Sequence, residues 1–343
     1  MPRHKVTDPR LLKLAGELAS GRSAEFIAHI LENVEKLAKN NTGIADLKQI
    51  DTTLQEMREA NQIFARYRHR RKVAVFGSAR ISPDSEEYQV AKRFGSCIAR
   101  KKFMVITGGG DGIMGAAQEG AGAENSFGLN INLPFEQRAN PTIDGDPKLI
   151  SFKYFFTRKL SFVKETHAFV LLPGGFGTLD EGFECLTLMQ TGKTAIVPLV
   201  LLDKPNGYYW EAWRRFLNND LFASHMISES DFSLFRITHK IDEAVEEIVR
   251  FYRVFHSYRW VGRKMVIRIQ NPLSASSLQH LNEQFAFILF EGCIEQTNAL
   301  PEEREDTTLL SLPRVILTPH KNNFGALRQL IDAINDSETT TNT

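Results

Sequence analysis

Residues 168–178 read Ala168-Phe169-Val170-Leu171-Leu172-Pro173-Gly174-Gly175-Phe176-Gly177-Thr178. The five apolar residues form a short strand buried on both faces. The glycine-rich turn ends it, and a helix is expected from Leu179. The same pattern recurs upstream. Val73–Phe76 is followed at once by Gly77-Ser78, then by a helix over Glu86–Lys101. Phe103–Ile106 is followed by Thr107-Gly108-Gly109-Gly110 and a helix from near Ile113. Gly128–Ile131 and Ile196–Leu202 complete the set of strands. Strands apolar on both faces that alternate with helices predict an α/β fold, a parallel sheet with helices on both faces. The glycines fall just past strand ends, at the carboxyl edge where such sheets bind ligands.

Two flanking regions differ from this core. Residues 1–71 carry apolar residues at helical spacing, with Asn40-Asn41-Thr42-Gly43 as a breaker, and predict a helical N-terminal extension. It ends in a basic run, Arg66, Arg68, Arg70, Arg71 and Lys72, read as a solvated helix end with cations near its C-terminus. Residues 257–335 predict a small α+β C-terminal domain. Its strands are Met265–Ile269, Pro313–Thr318 and one near Ile294; its helices are Ser274–Leu289 and Phe324–Ile334. The segment 336–343 reads as a disordered tail. The core between them is 72–256.

Composition narrows the partners. Forty-two Lys and Arg against 41 Asp and Glu leave a net charge of +1, unlike a dedicated binder of nucleic-acid polymers. Cys97, Cys185 and Cys293 are far apart and form no CxxC, so neither a disulfide framework nor a cysteine zinc site is expected, and a cytoplasmic setting fits. The first residues, MPRHKVTDPR, hold no apolar signal region, and no apolar run is long enough to span a membrane. The nine histidines form no HExxH or His-Asp cluster, so no metal and no cofactor are expected. His167, just before a strand, reads as structural.

The glycine loops suit an anion. Glycine lets the backbone approach a ligand, and amides at the next helix N-terminus point at it. Candidate contacts are Gly77, Ser78, Gly108, Gly109, Gly110, Met114, Pro173, Gly174, Gly175, Gly177 and Thr178. Neither loop is followed by the Gly-Lys-Ser/Thr of a Walker motif. The first strand lacks the glycine spacing of a dinucleotide site, so a mononucleotide is the better guest. Glu181 and Glu184 share a helix face beside the second loop. Arg158 and Lys159 follow an aromatic stretch that includes Phe152, Tyr154, Phe155 and Phe156, read as core rather than interface.

These residues carry a resemblance. Pro173–Glu181 matches PGGxGTxxE, and Thr157-Arg158-Lys159 matches a companion Arg-Lys element. With TGGGDGIMG at 107–115 and LNINLPFEQ at 129–137, they resemble the LOG ("lonely guy") family. That family includes cytokinin riboside 5′-monophosphate phosphoribohydrolases and related nucleotide nucleosidases, often mislabelled lysine decarboxylases. The resemblance covers about 72–250, and the flanks resemble extensions of longer bacterial members. It implies a Rossmann-like fold and hydrolysis of a nucleoside 5′-monophosphate to free base and ribose 5-phosphate. Arg158 and Glu181 would be the catalytic pair, and the Gly174–Thr178 loop the phosphate cradle. It also implies a homodimer or higher homo-oligomer.

The chemistry of the residues agrees. Breaking a ribosyl C–N bond develops positive charge on the sugar, which a fixed carboxylate stabilises. An arginine can grip the phosphate or stabilise the departing base. Lys159 is a substrate-binding candidate, and Glu184 a supporting or base-contacting group. Lys159 and Lys193 have no recognisable Schiff-base context, so a pyridoxal decarboxylase is not expected. The alternative function is a nucleotide-binding regulator or carrier without turnover.

Overall fold

The computed structural model describes residues 4–132, 138–304, 307–321 and 323–340. The chain clusters into two units, Met1–Arg58 and Glu59–Thr343. The first holds α1 (Pro9–Leu18) and α2 (Gly21–Lys39), packed on Val6, Ala15 and Ala28, and the start of α3 (Ile44–Ala65). Asp8 caps α1 by accepting from the Arg10 amide, with Pro9 at the first helical position. Asn40 through Gly43 form the break expected between α2 and α3, with the Thr42 amide donating to the Leu37 carbonyl and Asn41 at φ 53°.

The second unit contains two sheets. The larger has seven parallel strands: β1 (Lys72–Phe76), β2 (Met104–Thr107), β3 (Ser126–Ile131), β4 (Leu149–Phe152), β5 (Ala168–Leu171), β6 (Leu199–Leu202) and β7 (Arg236–Thr238). Their order is β4-β3-β2-β1-β5-β6-β7. The chain winds outward from β1 in one direction and then, from β5, in the other. The switch point therefore lies between β1 and β5, where Phe76 pairs with Leu171.

Helices cover both faces, as the apolar runs required. Val73 and Val75 face one core, with α4 (Glu86–Arg100), α5 (Ile113–Ala121) and α9 (Ile241–Phe251). Ala74 and Phe76 face the other, with the end of α3, α6 (Phe155–Glu165), α7 (Phe176–Gln190) and α8 (Tyr209–Phe216). The smaller sheet is antiparallel: β8 (Phe255–Val261), β9 (Lys264–Ile269), β10 (Leu289–Thr297) and β11 (Arg314–Pro319), in the order β10-β11-β9-β8. With α10 (Ala275–Phe285) and α11 (Phe324–Asp336) it shares one continuous apolar core with the α4, α5 and α9 face.

Several expectations need correction. Helix α7 begins at Phe176, not Leu179, so Gly177 and Thr178 lie in its first turn. Strand β6 begins at Leu199. Pro198 has no amide to donate, and its carbonyl instead accepts from Phe169 at 2.8 Å. Strands β4, β7 and β8 carry no strong apolar run and were not expected. The tail is not loose through Thr340. Ser274 donates to the Glu338 carbonyl, and Thr340 donates to that of Pro272 at 2.8 Å. Residues 341–343 lie outside the described residues. The basic run is not simply solvated either. Lys72 is 1% exposed and donates to the carbonyls of Tyr67 and Arg70, while Arg71 stacks over Tyr252 at 4.0 Å.

Candidate active site

A cavity of about 780 Å³ opens at the carboxyl ends of β1 and β5. Two turns build its floor. After β1, the Ser78 amide donates to the Pro173 carbonyl and the Ser78 carbonyl accepts from Ile113, both at 3.1 Å. One residue thus ties the ends of β1 and β5 to the start of α5. The Ser78 hydroxyl oxygen accepts from the Arg80 amide at 3.1 Å. After β5, the Gly174 carbonyl accepts from the Tyr209 hydroxyl at 2.6 Å. A Cβ at Gly174 would stand 2.1 Å from Thr178 Oγ1 and 3.0 Å from the Ser78 amide, so no side chain fits there.

The start of α7 presents backbone amides without intrahelical partners. Gly175 is its N-cap and offers no side-chain acceptor. Thr178 and Leu179 donate back to the Gly175 carbonyl. Among the described residues, no carbonyl accepts from the amides of Phe176 and Gly177. Free amides on the positive end of a fifteen-residue helix attract an oxyanion. Arg80 lines the same cavity, is exposed, and has no carboxylate partner among the described residues.

Glu181 and Arg158 also line the cavity. Glu181, one turn into α7, is only 6% exposed. Burial raises its pKa above the ordinary carboxylate value, and the cations Lys159 and Arg158 oppose that rise only in part. Arg158 is held from three sides. Its Nε donates to the Leu129 carbonyl at 2.7 Å, its guanidinium lies over Phe162 at 5.2 Å, and Gly108 leaves it room. A Cβ at Gly108 would stand 2.6 Å from Arg158 Nη2 and 2.8 Å from Met114 Sδ. Burial lowers the Arg158 pKa and the Glu181 carboxylate opposes this.

Lys159 does not line the cavity. It bridges Asp180 (2.8 Å), Glu184 (2.7 Å) and Glu181 (3.4 Å). Burial disfavours its charge, but these carboxylates outweigh burial and hold its pKa above the ordinary value. Lys159 is therefore the counter-ion to three acids crowded at one helix end. Glu184, tied to that ammonium, supports rather than lines the site.

The structure thus brings together Gly77, Ser78, Met114, Arg158, Gly174, Gly175, Gly177, Thr178 and Glu181. Pro173 contributes its carbonyl to the Ser78 amide from behind. Gly108, Gly109 and Gly110 do not line the cavity. The carbonyls of Gly109 and Gly110 accept from Asn140 Nδ2 at 3.0 Å, which turns the loop inward. Gly108 leaves space for the Arg158 guanidinium. Residues 133–137 of the LNINLPFEQ stretch lie outside the described residues. Sequence reading missed Arg80, Phe155, Phe176 and Asp180 as lining. Arg80 had one available signal, its place four residues past β1. The aromatic stretch divides: Phe152 is fully buried, but Phe155 and Phe156 are 53% and 49% exposed, so the core reading fails for these two side chains.

Among the described residues, His4, His29 and Glu32 alone lie close enough as a trio of ligand types to share a cation. None of them lines this cavity.

The family described as "Possible lysine decarboxylase" matches residues 114–248. The cytokinin riboside 5′-monophosphate phosphoribohydrolase of Mycobacterium tuberculosis is 32% identical over 159 residues, 45% of this chain and 81% of that one. The chain belongs to the LOG family. A pyrimidine/purine nucleotide 5′-monophosphate nucleosidase of Escherichia coli is 27% identical over 175 residues, 48% of this chain. This LOG-family chain spans only 37% of that relative's length. The Arabidopsis thaliana phosphoribohydrolase LOG3 is 26% identical over 52% of this chain and 70% of its own. Among solved structures, the molybdenum cofactor carrier protein of Chlamydomonas reinhardtii aligns at 20% identity over 52% of this chain and 98% of that one, with a TM-score of 0.36.

The decarboxylase wording does not fit the residues. A Schiff-base lysine must shed its proton to attack a carbonyl, which a lowered pKa favours. Lys159 is held charged by three carboxylates, and Lys193 lies at the other edge of the sheet. Among the described residues no helix is long and apolar enough to cross a membrane.

Proposed function

We propose that this chain hydrolyses the N-glycosidic bond of nucleoside 5′-monophosphates to free base and ribose 5-phosphate. One observation carries the reading: a buried carboxylate, Glu181, faces the same cavity as the free amides of an anion cradle one turn earlier. A 5′-phosphate seated on the Phe176 and Gly177 amides, with Arg80 beside it, directs the ribose toward Glu181. As the C1′–N bond breaks, its electron pair leaves with the base and positive charge builds on the sugar. The Glu181 carboxylate stabilises that charge. Water adds its oxygen to C1′, and its proton balances the base. Arg158 opposes the negative charge of the phosphate or of the leaving base. The names of the relatives support the same substrate class.

The test is direct. Incubated with a panel of nucleoside monophosphates, the protein should release free base in step with ribose 5-phosphate, by chromatography. Binding without released base would leave a regulator or carrier instead.

The same reading includes a homodimer. Phe155, Phe156 and Leu160 stand exposed on α6, beside the exposed Phe176 at the cavity rim. A contiguous apolar patch of this kind marks an interaction surface. Phe156→Asp should convert a dimer to a folded monomer in light scattering. A wild-type monomer at micromolar concentration would refute the dimer.

A further inference from the structure

A second cavity, of about 880 Å³, lies at the amino ends of β1, β5 and β6, the opposite edge from the glycine loops. Segments that are distant in sequence build it. Arg68 and Arg71 come from before β1, Lys164 and Thr166 from the α6–β5 junction, and Lys193 from before β6. No Asp or Glu is among its described lining residues. Lys164 is paired with Glu165 at 3.1 Å, which leaves Arg68, Arg71 and Lys193 as a local excess of cations in a chain whose net charge is +1. Arg68 and Lys193 have no carboxylate partner among the described residues, so their charge is available.

One deeper group points to a ligand independently of charge. Thr166 is 7% exposed, and its Oγ1 is buried with no hydrogen-bond partner. Buried hydroxyls are nearly always satisfied, because desolvating one without a partner costs about 1–3 kcal/mol. Next to it, His167 Nδ1 accepts from the Lys72 amide at 3.3 Å. The neutral ring therefore carries its proton on Nε2, and the Glu165 backbone is a hydrogen-bond partner of this imidazole. Burial, with Lys72 and Arg71 nearby, keeps this ring neutral by lowering its pKa to about 4. Tyr252 and Tyr258 supply an aromatic wall, and Arg71 already lies over the Tyr252 ring.

We propose that this cavity is a second ligand site, distinct from the Glu181 cavity, that takes a small molecule bearing a diphosphate group. Several cations around a recessed, unpartnered hydroxyl suit adjacent phosphates, which accept many hydrogen bonds at high charge density. A nucleic-acid backbone is the poorer fit. It would meet Arg68 and Lys193 at the mouth but not the buried Thr166 hydroxyl. The inference does not depend on the catalytic reading.

Calorimetric titration of the full chain with inorganic pyrophosphate tests it. Binding should persist in Arg80→Ala, which alters only the other cavity, and weaken at least tenfold in the Arg68→Ala/Lys193→Ala double variant. Thr166→Val removes a hydroxyl that has no partner in the free protein, so it should fold normally and weaken binding several-fold. ADP in place of pyrophosphate asks whether the aromatic wall adds affinity. Equal or tighter binding that is lost in the same variants extends the ligand to nucleotides, and binding by pyrophosphate alone confines it to the diphosphate group. Absence of pyrophosphate binding, binding lost in Arg80→Ala but not in the double variant, or an RNA oligomer that pyrophosphate fails to displace would overturn the proposal.

Discussion

Strand β5 is four residues long and joins two sites of opposite character. At its carboxyl end, past Leu171, lie free amides and three carboxylates, the buried Glu181 among them. At its amino end lie Thr166, His167 and a ring of cations. One physical cause acts at both ends. Burial disfavours charge, so it raises the pKa of Glu181 and lowers that of His167. The ends differ in what surrounds the strained group. Glu181 has Lys159 and Arg158 to keep its charge affordable, whereas His167 sits among like charges and stays neutral. A carboxylate kept charged against burial is a working electrostatic group; a ring kept neutral among cations is a hydrogen-bond donor.

The largest effect should come from discharging the carboxyl end. Glu181→Gln should lower base release by about 10³-fold or more, the scale for losing a group aimed at transition-state charge. It should also stabilise the fold at neutral pH. The raised folded pKa means that ionised Glu181 opposes folding, a burden absent below the unfolded value near 4.5 and fully present above the folded value. Thermal melts should show a higher Tm for the variant at pH 8 and no difference below pH 4. Full turnover by the variant would remove Glu181 from the chemistry. An unchanged Tm at pH 8 would mean that Lys159 fully offsets the burial.

The amino end should show the opposite pH window. With its folded pKa near 4 against an ordinary 6.5, neutral His167 favours the fold above about pH 6.5, and that contribution is lost as pH falls toward 4. The shift corresponds to about 3 kcal/mol across the window. His167→Asn should flatten the decline in stability between pH 6.5 and 4, measured by denaturant unfolding. A variant with the wild-type slope would place the acid sensitivity elsewhere.

Only one of the two ends was legible in sequence, and the reason is contiguity. Pro173–Glu181 packs a strand end, a turn and a helix start into nine residues, so its glycines and acids announce each other. The sheet was legible for the same reason, since β1, β2 and β5 are unbroken apolar runs. The amino-edge cavity draws on residues 68–71, 164–167, 193–197 and 252–258, which only the strand order brings together. Its basic run was visible, yet nothing local said that Arg71 would stack on Tyr252. Within the candidate active site, letters misled where a glycine serves a neighbour. Gly108 matches a phosphate loop but gives space to Arg158, and Gly109 and Gly110 turn to Asn140. Lys159 misled in the other direction, since a basic residue beside a phosphate cradle is here consumed by three acids.

The smallest effect should fall on Arg80, and it separates binding from chemistry within the carboxyl end. Arg80 lines the cavity but is exposed, so water screens its charge and limits what it adds. A charge-assisted hydrogen bond contributes about 1.5–3 kcal/mol in general, and exposure argues for the lower end. Since 1.4 kcal/mol is a factor of ten, Arg80→Ala should raise KM about tenfold. It should leave kcat nearly unchanged, because a phosphate held equally in the ground and transition states contributes only uniform binding. Raising the salt concentration should narrow the gap between wild type and variant, and Arg80→Lys should recover part of the affinity. A fall in kcat with KM unchanged would instead place Arg80 at the breaking bond, and the phosphate would then rest on the Phe176 and Gly177 amides alone.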